Sequence, residues 1–130
     1  MVFLSWHERY SVGSAEIDAQ HKALFDLVNR FDDTMQTGMT AESVGIMDDL
    51  ISSTIEHFKF EEDLMAQVAF PQLPGHKQMH GELIKQVREM RAKVKAGGYV
   101  STKSIVRFLA DWLTNHIIRE DLGYKPYLKG

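Results

Sequence analysis

The stretches HFKFE, residues 57–61, and HKQMH, residues 76–80, each carry two metal-binding side chains four positions apart. Residues four apart on an α-helix lie about 40° apart around its axis and about 6 Å apart along it. The side chains of His57 and Glu61 can therefore point to a common centre, and so can those of His76 and His80. Two such pairs on two separate segments predict a helical protein that binds metal.

The length and composition indicate one globular domain, residues 1–130, with 44% hydrophobic and 25% charged residues. Nucleic acid is not an expected partner, because the net charge is −3 and the sequence has no run of lysine and arginine. We expect a cytoplasmic protein without membrane insertion, since the sequence has no apolar run of membrane-spanning length and no signal peptide. Cysteine is absent, so a metal must be held by nitrogen and oxygen, which favours iron, manganese or zinc.

Hydrophobic residues at intervals of three and four predict four helices. Asp18 is the expected N-cap of the first helix, and Pro71 and Pro74 are expected to separate the second from the third. Ile55 is expected to face the core beside Phe58. The predicted helices span residues 18–37, 41–66, 75–96 and 101–121.

Short connections between these helices predict the fold class, an all-α, up-down-up-down antiparallel four-helix bundle. Residues 1–16 are predicted to form an N-terminal arm that packs against the bundle through Phe3, Trp6 and Tyr10. A short C-terminal segment follows Gly123. Thr40 and Ser101 are further expected caps, and the expected helix ends are Gly38 and Gly97-Gly98.

Antiparallel packing brings the beginning of each odd-numbered helix to the same end of the bundle as the end of each even-numbered helix. Unrelated histidines have no reason to share one level, so their convergence strengthens the prediction of a metal site. The candidates early in the first and third helices are His21, His76 and His80, and those late in the second and fourth are His57, Glu61 and His116.

The acidic residue that accompanies His116 is left open by the spacing. Glu120 lies four residues after His116, whereas Asp121 lies five residues after it, about 140° around an ideal helix. Spacing alone favours Glu120, and Asp121 requires the helix to widen or end there, as it does at π-type turns. Acidic doublets such as Glu61-Glu62 are ordinarily solvated, and only Glu61 has a histidine four residues away. His7, in the arm, is expected to be solvated.

These stretches resemble the hemerythrin family, and in particular single-domain bacteriohemerythrins. The resemblance covers nearly the whole chain, and no ligand position departs from the family's pattern. It rests on residues 17–22, 57–62, 76–80 and 112–121, with residues 124–128 similar to the family's closing segment.

The resemblance implies a non-haem centre of two iron ions joined by a solvent-derived oxygen bridge. One iron would have six ligands and the other five, which leaves one position for dioxygen. The resemblance also favours Asp121 over Glu120. By this resemblance, His76, His80 and His116 would hold one iron, His21 and His57 the other, and Glu61 and Asp121 would bridge them.

The resemblance further implies a dry pocket around the dioxygen, although the same residues would serve as ordinary bundle core. A polar change such as Leu113→Asp is expected to speed oxidation in air, and an unchanged rate would contradict the dry pocket. The implied lining is Leu24, Phe58, Trp112, Leu113 and Ile117.

The expected function is therefore reversible dioxygen binding, as an oxygen carrier, store or delivery protein for an oxygen-consuming enzyme, rather than catalysis. Five imidazoles and two carboxylates are less anionic than the carboxylate-rich sites of ferritin-like oxidases, and this favours ferrous iron. The alternatives are an oxygen or redox sensor acting through a separate partner, and a di-iron oxidase or peroxidase. We expect a monomer, because the bundle leaves no obvious exposed apolar seam.

Overall fold

The computed structural model describes residues 4–34, 41–95 and 102–129, and all regular secondary structure within these ranges is helical, including a short 3₁₀ turn at Glu8–Tyr10 in the arm. Helix α1 packs against α2 and α4, and α2 also packs against α3. The predicted all-α helical bundle is confirmed. The helices are α1 (Ala15–Thr34), α2 (Ala41–Gln67), α3 (Leu73–Lys95) and α4 (Thr102–Asp111), and α4 continues as a π-helical segment (Trp112–Ile118), an α-helical turn (Arg119–Asp121) and a 3₁₀ helix (Leu122–Lys129).

Helix α1 begins at Ala15 because Ser14, and not Asp18, caps it. The Ser14 hydroxyl oxygen accepts a hydrogen bond of 3.3 Å from the backbone N–H of Ile17. The Asp18 carboxylate instead accepts hydrogen bonds from the Ser11 hydroxyl, at 2.5 Å, and from the Val12 N–H, at 3.0 Å. Asp18 therefore fastens the preceding loop to the first helical turn. The other expected caps and ends, Gly38, Thr40, Gly97-Gly98 and Ser101, lie outside the described residues.

Helix α2 ends in a Schellman motif. The N–H of Phe70 donates to the carbonyl of Met65 at 3.0 Å, and the N–H of Ala69 donates to the carbonyl of Ala66 at 3.2 Å. Ala69 has a φ of 54°, a left-handed conformation that usually selects glycine. Helix α3 begins at Leu73, two residues before the predicted start, because a proline in the first turn, here Pro74, lacks only an N–H that the helix does not use.

The N-terminal arm packs against α1. The backbone N–H of Leu4 donates to the side-chain oxygen of Asn29 at 2.6 Å, and the Asn29 side-chain nitrogen donates to the Leu4 carbonyl at 2.8 Å. The rings of Trp6 and Tyr10 contact Phe25 edge to face, with centroids 5.7 and 5.6 Å away. These contacts agree with the packing expected of Trp6 and Tyr10, while Phe3 lies outside the described residues. His7 is exposed, as expected.

Two hydrophobic clusters lie on either side of the level at which the candidate ligands sit. The core cluster fills the bundle and includes Leu24, Phe58, Leu83 and Leu113. The smaller end cluster closes the bundle and consists of Val12, Ile17, Met65, Phe70 and Tyr124.

The expectation that Ile55 faces the core is wrong, because this residue is 39% exposed. Thr54 and Phe58, one turn apart, occupy the core face of α2 at this level and are both buried. The Thr54 hydroxyl is satisfied within the helix, since it donates to the Leu50 carbonyl at 2.7 Å. Ile55 therefore lies at the edge of the buried stripe, facing the surface. Among the described residues, no helix is both long and apolar enough to cross a membrane.

Candidate metal centre

The predicted ligands meet between the core cluster and the end cluster. The side chains of His116 and of Ile117, an expected pocket residue, are not among those described, although the backbone of both belongs to the π-helical segment. Six predicted ligands come together, all buried: His21, His57, Glu61, His76, His80 and Asp121.

These six side chains form two overlapping groups of four, and within each group the potential ligand atoms lie within 4.8 Å of one another. Both groups contain the same two carboxylates, those of Glu61 and Asp121. Two metal-sized sites that share two carboxylates are the arrangement expected for a bridged metal pair. The first group adds His21 and His57, and the second adds His76 and His80.

Asp121 lies between the two groups and directs one oxygen to each. Its Oδ2 is 2.8 Å from Nε2 of His21, and its Oδ1 is 3.1 Å from Nε2 of His76. Glu61 also reaches both groups. Its Oε1 is 3.0 Å from Nε2 of His57 and 3.5 Å from Nε2 of His80.

The π-helical segment Trp112–Ile118 accounts for the position of Asp121. Hydrogen bonds in a π-helix join residues five apart, so residues at that spacing align as residues four apart do in an α-helix. The widening that Asp121 requires in order to accompany His116 is thus present in the backbone. The side chain of Glu120, the other candidate, is not among those described.

Four buried polar atoms have no hydrogen-bond partner within the described part of the chain. Each such atom costs about 1–3 kcal/mol, so their concentration at one place requires an explanation. Imidazole nitrogens and carboxylate oxygens in a cysteine-free site suit iron, manganese or zinc, and the residues present therefore fit a bound metal pair. The atoms are Nδ1 of His21, Nε2 of His57, Oε1 of Glu61 and Nε2 of His80.

The two shared carboxyl groups have pKa values shifted in opposite directions. Burial, and then the negative charge of Asp121, raise the pKa of the Glu61 carboxyl well above its usual value. Burial also acts to raise the pKa of Asp121. Hydrogen bonds from Glu61 and the surrounding histidines outweigh this effect and hold the pKa of Asp121 well below its usual value. Of the two carboxyls, Glu61 therefore has the higher affinity for a proton, and a cation that binds both groups competes with that proton.

Two of the histidines are held by polar side chains from neighbouring helices. Nδ1 of His57 lies 2.6 Å from the amide oxygen of Gln20, and Nδ1 of His80 lies 2.8 Å from a carboxylate oxygen of Glu62. An imidazole that donates its Nδ1–H in this way presents its Nε2 lone pair to a metal. Neither Nε2 atom forms a hydrogen bond of good geometry with another described residue, although both face Oε1 of Glu61, at 3.0 Å from His57 and 3.5 Å from His80.

The same two histidines have opposite pKa shifts. Burial lowers the pKa of His57, but the carboxylates of Asp121 and Glu61 outweigh burial and raise it to about 9. Burial lowers the pKa of His80 to about 4, although its hydrogen bond with Glu62 acts in the other direction. At neutral pH His80 is therefore neutral and ready to bind metal, whereas His57 carries a proton that a metal must displace.

Tyr124 closes the centre from the side of the end cluster. Its hydroxyl donates a hydrogen bond of 2.5 Å to Oε2 of Glu61, and its side chain is fully buried. Burial, together with the charges of Asp121 and Glu61, raises the pKa of the Tyr124 hydroxyl. The hydroxyl therefore stays protonated and leaves Oε1 of Glu61 as the oxygen that faces the histidines.

Gln20, Glu62 and Tyr124 were missed by sequence reasoning. Gln20 directly precedes one candidate ligand and Glu62 directly follows another, but each supports a histidine on a different helix. The expectation that Glu62 is solvated is wrong, since its side chain is 26% exposed and bonded to His80. Only the adjacency of these residues to the ligands could have drawn attention to them.

The four expected pocket residues whose side chains are described all belong to the core cluster. Phe58 stacks on the ring of His80, with the centroids 3.7 Å apart and the rings parallel. The indole N–H of Trp112 donates to the Leu83 carbonyl at 3.0 Å, so its polar atom is satisfied away from the centre. Apolar side chains therefore adjoin the ligands on one side. The four residues are Leu24, Phe58, Trp112 and Leu113.

Comparisons with known proteins agree with this geometry. The family model of the hemerythrin HHE cation-binding domain matches residues 12–128. The bacteriohemerythrin of Stenotrophomonas maltophilia is 34% identical, over 99% of this chain and 84% of the relative. That of Methylococcus capsulatus is 33% identical, over 98% of both chains.

Solved structures show the same likeness. A crystal structure of wild-type hemerythrin superposes with a TM-score of 0.87 at 33% identity, covering 98% of this chain and 99% of the other. A crystal structure of a hemerythrin point mutant superposes with a TM-score of 0.88 at 32% identity, covering both chains completely. With its two histidine groups, its shared carboxylates and these relatives, the chain belongs to the hemerythrin family.

Proposed function

We propose that this protein holds two iron ions and binds dioxygen reversibly, as an oxygen carrier, store or delivery protein. The observation that carries this proposal is the sharing of Glu61 and Asp121 by both ligand groups. A single metal site would need only one of the groups. Two sites with common carboxylates suit two ions that act on one small molecule.

The histidines divide between the two ions by their positions. His21 and His57 would hold one ion, and His76 and His80 the other, with the addition of His116 from the π-helical segment. The proposed ligands are two carboxylates and five neutral imidazoles, so their total charge is −2. A ligand set of this low charge does not strongly favour ferric iron, which suits a site that must return to the ferrous state.

A ferrous pair supplies two electrons that dioxygen can share while bound and return when it leaves. The chain's own contribution is to hold the ligands in place and to exclude water. Gln20 and Glu62 orient His57 and His80 through their Nδ1 atoms. Phe58 and Leu113, at 3% and 0% exposed, are apolar side chains of the core cluster that adjoins the centre and would keep water away from it. A dry site favours release of dioxygen over its reduction, because reduction products leave as protonated or hydrated species.

The test is a reversible spectral cycle. The iron-loaded protein is reduced without oxygen, exposed to oxygen and then deoxygenated, while its visible spectrum is recorded. We expect a colourless reduced protein that gains a charge-transfer band with oxygen and loses it on deoxygenation. The matched control is Glu61→Gln, which removes a shared carboxylate and is expected to abolish the band. A wild-type protein that passes directly to a stable ferric spectrum would contradict the carrier function and favour an oxidase.

A further inference from the structure

A surface groove between α2 and α3 reaches one of the candidate ligands from outside. It has a volume of about 430 Å³, and its lining includes Phe58, His80 and Ile84. The stacked rings of Phe58 and His80 lie at its base, and both residues are only 3% exposed. Glu62 also lines the groove and bonds to Nδ1 of His80. Through this groove, a molecule bound at the surface lies one side chain away from the proposed iron centre.

The rim of this groove is cationic, although the chain as a whole has a net charge of −3. Lys59, Lys77 and Arg88 line it, all of them exposed, and none forms an ion pair with another described residue. Glu62, the single acidic residue in the lining, is already bonded to His80. A positive field therefore surrounds the groove and attracts anionic partners.

The neighbouring groove between α3 and α4 lacks this pattern. Its charged lining residues are Glu89, Asp111 and Lys93, which mix both signs, and none of the candidate ligands lines it. Ile55, one of two large hydrophobic residues exposed in the described ranges, lies instead at the α2–α3 groove. A small apolar surface with a charged rim suits a brief encounter between proteins, where charge steers association and the area stays small.

On the basis of the proposed function, we propose that the α2–α3 groove is the docking surface for an acidic one-electron carrier protein that reduces the oxidised iron pair. An oxygen-binding iron pair that loses its electrons to oxygen becomes ferric and can no longer bind dioxygen. Two reduced carriers, docking in turn, would restore it. Each carrier loses one electron and each ferric ion gains one, with no atom transferred. The electron would enter through His80, the proposed ligand at the base of the groove.

The docking surface can be mapped without any redox reaction. Hexacyanochromate(III), a paramagnetic trivalent anion, is titrated into the ¹⁵N-labelled, iron-loaded oxidised protein, and the broadening of amide signals is measured. We expect the strongest broadening around Lys59, Lys77 and Arg88, and its loss at high salt. The cationic hexaamminechromium(III) is expected to leave these signals unchanged. Broadening spread evenly over the surface, or centred on the α3–α4 groove, would overturn the proposed docking surface.

Electron transfer is then measured with flavodoxin hydroquinone, an acidic one-electron donor, by stopped flow without oxygen. The Lys59→Glu/Lys77→Glu double variant is expected to slow reduction of the ferric protein by about 10-fold or more at low salt. The matched control is Lys93→Glu/Lys95→Glu, in the last turn of α3 and outside the lining of this groove, which lowers the net charge equally and is expected to change the rate much less. Equal slowing in both double variants would show that overall charge, and not this groove, guides the donor.

The result remains distinguishable from failure of the proposed function. Both double variants are first taken through the oxygen cycle after chemical reduction with dithionite, which needs no docking surface. A normal cycle in both, with slow flavodoxin reduction only in Lys59→Glu/Lys77→Glu, supports the proposal. Equal flavodoxin rates in the wild type and that variant, with the cycle intact, would overturn the docking surface alone.

Discussion

The two ligand groups of the centre share their carboxylates but differ in what supports their histidines. Nδ1 of His57 meets the neutral amide of Gln20, whereas Nδ1 of His80 meets the carboxylate of Glu62. The two distances, 2.6 and 2.8 Å, are nearly the same. The difference between the groups is therefore one of charge and not of geometry.

A carboxylate that accepts the Nδ1–H of an imidazole makes the opposite nitrogen a stronger donor and stabilises the higher charge of a bound metal. An amide fixes the same orientation without adding charge. We therefore expect the metal beside His80 to be held more tightly than the metal beside His57. We also expect it to favour the ferric state more.

Asp121→Asn is expected to have the largest effect, because it removes the carboxylate that directs one oxygen to each group. An amide has only one good metal-binding oxygen and no charge, so the variant is expected to bind one iron ion in place of two, with affinity reduced about 100-fold or more. Iron analysis after loading and desalting measures this. The control is Asp111→Asn, an exposed acid at the end of α4. Two tightly bound iron ions in Asp121→Asn would contradict the bridging role.

Exchanging the supporting side chains is expected to have the next largest effect. Glu62→Gln is expected to weaken metal binding beside His80 by about 10- to 100-fold and to slow oxidation in air, because it removes a negative charge behind that imidazole. Gln20→Glu is expected to strengthen metal binding beside His57. Stepwise anaerobic titration with ferrous iron and Mössbauer spectra of ⁵⁷Fe distinguish the two ions.

The Glu62→Gln/Gln20→Glu double variant is the control for this exchange, because it keeps the total charge while exchanging the two supports. We expect it to reverse the order in which the two positions fill. If either single substitution changes the affinity of both positions for iron equally, the charge of the supporting side chain does not cause the difference between the two positions.

Tyr124→Phe is expected to affect both groups together, since Tyr124 contacts the shared carboxylate of Glu61. Loss of the hydroxyl leaves Oε2 of Glu61 buried without a donor, and we expect the free energy of unfolding to fall by about 1–3 kcal/mol. Urea denaturation measures this. The matched control is Tyr127→Phe, because Tyr127 is 41% exposed and is expected to change stability little. Equal losses in the two variants would exclude a special role for the Tyr124 hydroxyl.

Ala69→Gly is expected to have the smallest effect and to leave both groups unchanged. Glycine relieves the left-handed conformation of Ala69, so we expect stability to rise by about 1 kcal/mol with unchanged iron content. The same substitution three residues earlier, Ala66→Gly, lies inside α2 and is expected to lower stability by about 1 kcal/mol. A urea midpoint that rises in Ala69→Gly and falls in Ala66→Gly would agree with the Schellman motif. A lower midpoint in both variants would contradict it.

The bundle and the convergence of the candidate ligands could be predicted from the sequence, because both follow from helical periodicity. His57 with Glu61, and His76 with His80, need only an α-helix to share a face, and antiparallel packing then sets their common level. The start of α1 was predicted three residues too late, since Ser14 and Asp18 are both good caps and only tertiary contact with Ser11 and Val12 separates their roles.

The supporting contacts could not be predicted, because they join residues on different helices. Gln20 reaches a histidine 37 residues away, and Glu62 one 18 residues away. Periodicity places these side chains at the edge of a buried face, but it does not say which neighbour they contact. Ile55 illustrates the same limit, because its spacing fits the core stripe while Thr54 occupies the buried position.

The π-helical segment Trp112–Ile118 has a consequence for how such centres are recognised in other sequences. A search for histidine followed by an acid four residues later selects Glu120 here and passes over Asp121. A histidine followed by an acid five residues later is therefore also a candidate pair where a π-helical segment widens the helix. Deleting one residue between His116 and Asp121 would convert the segment to an ordinary α-helix with both side chains on one face. We expect such a deletion to change the spacing of this motif while keeping the proposed ligands.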